Sequence, residues 1–116
     1  MTQVTIFHNP RCSKSRETLA LLESKGVEIQ IVEYLKQVPD AATLSELLVK
    51  LGISARELMR TKEEEYKAQG LNNPELTEAQ LIAAMIATPK LIERPIVLAN
   101  GKAAIGRPPE NVLAIL

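Results

Sequence analysis

The chain has 116 residues, a length that suits one domain, and 46% of them are hydrophobic, enough for a buried core and too many for wholesale disorder. Fourteen Lys and Arg balance fourteen Asp and Glu, so the basic excess of a general nucleic-acid binder is missing. Met1 leads straight into a strand-like run, and no apolar stretch approaches the roughly 20 residues that span a bilayer; a soluble, cytoplasmic monomer is expected, without a membrane or nucleic-acid partner.

Residues 4–8 read as a first strand. A helix follows, starting near Ser13 as N-cap, running from Glu17 to Lys25 and stopping at Gly26. Val27 to Tyr34 alternates as a second strand, so the first two strands should be parallel and joined by a right-handed helical crossover. Pro39-Asp40 breaks the pattern. Thr43 to Leu51 carries leucines at helical spacing and ends at Gly52. Ser54 with Glu57, and Thr77 with Gln80, have capping-box spacing. The first pair opens a short helix through Met59. The second opens one bearing Leu81, Ile82, Met85 and Ile86, stopped by Pro89. Between them, residues 62–69 read as another helix, ending at Gly70. Strand character returns at Ile96-Val97-Leu98. Asn100-Gly101 signals a hairpin, Lys102 to Gly106 is the returning strand, and Glu110 to Leu116 is a final helix behind Pro108-Pro109. The order β-α-β, helical block, β-β-α describes a single α/β domain over 1–116, with a helical insertion at about 40–90.

The chemistry concentrates at His8-Asn9-Pro10-Arg11-Cys12-Ser13-Lys14-Ser15-Arg16, which holds the only cysteine and the only histidine. One cysteine excludes an intrachain disulfide, and one Cys with one His cannot form an ordinary four-ligand zinc site within one chain, which leaves carboxylate-rich metal sites open; no bound metal or cofactor is expected. Cys12 falls in a polar turn at a helix N-terminus, with Arg11, Lys14 and Arg16 within four residues. Unpaired N–H groups, the positive end of the helix dipole and nearby cations all favour thiolate over thiol. A free cysteine of pKa ~8.5 can fall well below 7 in such surroundings. The same features attract a small anion. A phosphatase-type loop would need an arginine six residues after the cysteine; Thr18 stands there, and Arg16 is four after.

His8-Asn9-Pro10-x-Cys12-x-x-Ser15-Arg16, Arg60, Arg94-Pro95-Ile96-Val97 and Arg107-Pro108 together resemble the glutaredoxin-linked arsenate reductase family over essentially the whole chain. The resemblance implies a thioredoxin-like sheet with a helical insertion and a cis-proline at Arg94-Pro95. It implies Cys12 as nucleophile, His8 lowering the thiol pKa and Ser15 donating a hydrogen bond to the thiolate. Arg60, Arg94 and Arg107 would bind the arsenate oxyanion. Glutathione would be the co-substrate and glutaredoxin the partner, which agrees with a chain that has no second cysteine. Two alternatives remain open: a thiol oxidoreductase acting on another oxyanion or on glutathionylated substrates, and a non-enzymatic Spx-like regulator that binds RNA polymerase.

Overall fold

In the computed structural model, which describes residues 3–93 and 95–116, β1 (Gln3–Phe7) alternates so that Val4 and Ile6 point into the core. It is followed by α1 (Ser13–Ser24), which Gly26 stops in the left-handed region at φ 67°. β2 (Glu28–Val32) then pairs parallel to β1, with Val4 opposite Ile29 and Ile6 opposite Ile31. β3 (Ile96–Ala99) pairs antiparallel to the other side of β1 and turns at Asn100-Gly101 into β4 (Lys102–Ile105). Both turn residues have positive φ, 54° and 74°, as a tight two-residue hairpin demands. The sheet order is β2-β1-β3-β4. This mixed α/β arrangement is thioredoxin-like.

These strands and α1 belong to one compact unit, residues 1–37 with 94–116. Its core is Val4, Ile6, Leu22, Val97 and Ala99, closed by Val112 and Ile115. The last two lie in the C-terminal segment Pro109–Ile115, which is 3₁₀-helical where the sequence suggested an ordinary helix over 110–116. Two prolines remove donors from its first turn. A three-residue repeat also sets Val112 and Ile115 directly above one another on the side that meets the sheet.

Residues 38–93 form the second unit. α2 (Ala41–Leu51) is capped by Asp40, whose side chain accepts from Thr43 N–H at 2.8 Å. Ser54 and Glu57 close a capping box on α3 (Ala55–Leu58), as Thr77 and Gln80 do on α5 (Glu78–Ala87). Between them α4 (Glu64–Ala68) is shorter at both ends than residues 62–69. Leu44, Leu47, Leu58, Leu81 and Met85 are buried. The Met59 to Ile92 bridge, with Glu93 N–H donating to Leu58 O at 2.9 Å, ties the end of this unit to α3. Among the described residues no helix is long and apolar enough to cross a membrane.

Candidate active site

The turn between β1 and α1 is built by Asn9. His8 N–H first extends the strand pairing by donating to Val32 O at 2.8 Å. Asn9 Oδ1 then accepts from Arg11 N–H at 3.0 Å, and Asn9 C=O accepts from Cys12 N–H at 3.0 Å. Asn9 N–H donates to Ser15 Oγ, also at 3.0 Å. Three bonds from one buried residue therefore fix the approach to Cys12. Arg16 Nη1 adds a fourth tie by donating to Pro10 O at 3.0 Å.

Cys12, not Ser13, is the N-cap of α1. Its backbone is extended (φ −93°, ψ 124°), and its C=O accepts the helix's first bond, from Arg16 N–H at 3.0 Å. Residue type favours serine at a cap, but the Asn9 turn ends one residue earlier and carries Cys12 into that position. The sulfur makes no cap hydrogen bond. Instead it accepts from Arg107 Nη2 at 3.4 Å. Cys12 is 8% exposed.

Arg107 arrives from the end of β4 through Gly106. Gly106 N–H donates to Pro95 O at 2.9 Å, while Thr18 Oγ1, on α1, bonds Lys14 O at 2.8 Å and Gly106 O at 3.4 Å. The helix thus lies directly against the chain that carries Arg107. The Arg107-Pro108 peptide is cis. Arg94, and with it the geometry of the Arg94-Pro95 bond, lies outside the described residues.

His8 and Ser15 meet: Nδ1 and Oγ are 2.6 Å apart, with Ser15 fully buried. The hydroxyl assigned to the thiolate by resemblance makes its contacts with His8 and Asn9 in this structure. Arg60, in the 38–93 unit, donates from Nε to Glu63 Oε1 at 3.1 Å and from Nη1 to Glu93 Oε1 at 3.3 Å. Lys14 is ion-paired with Glu17 at 3.4 Å.

The pattern of the ArsC family matches residues 7–115. This chain belongs to the ArsC family. It is 63% identical to the uncharacterized protein YfgD of Escherichia coli K12, covering 98% of this chain and 97% of that one. It is 53% identical to an arsenate reductase of Neisseria meningitidis serogroup A over the full length of both. Among solved structures, an arsenate reductase from Vibrio cholerae superposes with a TM-score of 0.97 at 52% identity, covering 99% of this chain and 98% of that one.

In this ArsC-family site Ser15 Oγ accepts from Asn9 N–H and shares a hydrogen bond with His8 Nδ1, which the imidazole accepts or donates according to its tautomer. Burial is the main cause that lowers the His8 pKa below 6.5; Glu33 opposes the shift and Arg16 adds to it. As pH falls below about 6.5, the unfolded chain takes up a proton on this imidazole before the folded one does, so stability declines. Denaturation midpoints followed from about pH 7.5 to about pH 5 should fall in wild type, and more steeply than in a His8→Gln variant.

Several participants carried weak signals or none. Asn9 before Pro10 has the composition of an Asx turn, which points to the turn but not to its contact with Ser15. Thr18 and Gly106, 88 residues apart, and the pairing of Arg60 with Glu93, 33 apart, are long-range contacts with no local pattern.

Proposed function

We propose that the protein reduces arsenate to arsenite through a Cys12 thiolate, with glutathione as co-substrate and glutaredoxin as partner. The observation that carries this reading is the Arg107 guanidinium 3.4 Å from the Cys12 sulfur at the N-cap of α1. A cation and a helix N-terminus converging on one sulfur favour the ionised nucleophile. Family membership and relatives named arsenate reductase supply the substrate.

The Cys12 thiolate attacks As(V), an S–As bond forms, and an oxygen leaves as water or hydroxide. Arg107, joined by Arg60 and Arg94 as the resemblance implies, neutralises and orients the arsenate oxygens. Glutathione thiolate then attacks the Cys12 sulfur. An S–S bond forms, the S–As bond breaks, and its electron pair stays on arsenic, which leaves as As(III). Glutaredoxin thiolate takes the glutathionyl group and returns Cys12. The two electrons come from two external thiols, which suits a chain with one cysteine.

The test is arsenite formation from arsenate with glutathione and glutaredoxin supplied. Turnover is expected for wild type and absent for Cys12→Ser. Wild-type turnover no higher than that control would overturn the reading.

A further inference from the structure

Of the three cations beside Cys12, two have protein partners: Lys14 holds Glu17, and Arg16 holds the Pro10 carbonyl. Arg11 differs. Its exposed side chain makes no hydrogen bond or ion pair among the described residues. It lines a cavity of about 200 Å³ with His8, Glu33, Leu35 and Lys36. His8 follows β1 and Glu33 follows β2, so the cavity opens at the C-terminal ends of two adjacent parallel strands. Ligands of α/β sheets gather at such ends. One wall is the Asn9-Pro10-Arg11 turn that leads into Cys12.

The lining has a specific chemistry. Arg11 and Lys36 supply two positive charges and Glu33 one negative charge. Lys36 and Glu33 are 3.9 Å apart and both well exposed, a contact too loose to satisfy either. Leu35, 43% exposed, offers an apolar surface beside them. A ligand that matches carries a carboxylate and an ammonium close together, followed by a methylene stem. The volume holds one amino-acid-sized end, not a whole tripeptide.

We propose that this cavity seats the γ-glutamyl end of glutathione, with its carboxylate on Arg11 and Lys36, its ammonium on Glu33 and its methylenes on Leu35. The proposal rests on Cys12 being the reacting thiolate. It gives Arg11 the role of choosing the thiol reductant, separate from oxyanion binding.

The experiment uses disulfide exchange, which needs no arsenate. Cys12 thiolate attacks glutathione disulfide, forms Cys12–S–S–glutathione and expels glutathione thiolate; mass spectrometry follows the adduct on the single cysteine. Hydroxyethyl disulfide, which lacks carboxylate and ammonium, serves as the comparison. The nucleophile is the same in both reactions, so a change in thiol reactivity cancels in the ratio of rate constants. Wild type should favour glutathione disulfide. Arg11→Ala combined with Lys36→Ala should lower the ratio about tenfold, the scale of removing two partly exposed charge pairings at once. Both side chains are exposed, so folding is not at stake. An unchanged ratio would overturn the cavity assignment while leaving the thiolate reading intact. No adduct with either disulfide would overturn the thiolate reading and the assignment with it.

Discussion

Replacing Arg107 by Ala is expected to lower arsenite formation by about 10²- to 10³-fold, the range seen when one preorganised donor to a developing negative charge is removed. The effect has two sources. Arg107 Nη2 donates to the Cys12 sulfur at 3.4 Å, so its loss removes a cation that favours thiolate. Its second source is the proposed contact with arsenate oxygens. Alkylation separates the two. The pH midpoint of Cys12 modification should rise in Arg107→Ala, and Arg107→Lys should restore much of that midpoint because the charge returns. Turnover should recover less, because an ammonium lacks the planar pair of donors that matches an oxyanion edge. An unmoved alkylation midpoint would show that Arg107 does not act on the thiol.

Gly106→Ala should be the most destabilising single-methyl change near the site, by about 2 kcal/mol, within the usual cost of overpacking. The reason is space, because the φ of Gly106 is not in the positive region. A Cβ there would sit 2.5 Å from Thr18 Oγ1, 2.8 Å from Pro95 Cγ and 3.0 Å from Thr18 Cγ2. None of these can yield cheaply. Thr18 is fully buried and held by its bond to Lys14 O, and Pro95 is a buried ring. Chemical denaturation should show a lower midpoint with an unchanged slope. Adding Thr18→Ala should recover part of the loss by removing both threonine atoms that crowd the new methyl. A Gly106→Ala midpoint equal to wild type would mean that α1 is not seated against this segment. Because Arg107 is the next residue, thiol reactivity should fall along with stability.

Much of this could be read from the residues alone, where the signal was local. Gly52, at φ 70°, ends α2 where the leucine pattern ran out, and the Ser54 and Thr77 boxes open helices where the spacing placed them. The Asn100-Gly101 pair forms the tight turn that its composition demanded. The parallel pairing of β1 and β2 followed from one helix lying between two strands. What escaped was decided over distance or by a single step of register. Serine propensity put the N-cap at residue 13, and the geometry of the Asn9 turn put it at 12. The last seven helical residues obey the three-residue spacing of Val112 and Ile115 against the sheet, not their intrinsic preference. Nothing near Arg60 in sequence announces Glu93 as its partner.

The Asn9 side chain that anchors the turn also bears on chemical ageing. Asparagine deamidates when the amide nitrogen of the next residue attacks its side-chain carbonyl and closes a five-membered imide. The next residue here is Pro10, whose nitrogen has no hydrogen and is already fully substituted. That route is shut, and the acceptor for Arg11 N–H keeps its neutral amide. Conversion to aspartate would place a new negative charge in the turn that leads to the Cys12 sulfur. The proline after Asn9 therefore guards the electrostatics of the thiol over the lifetime of the protein, beyond what it does for the shape of the turn.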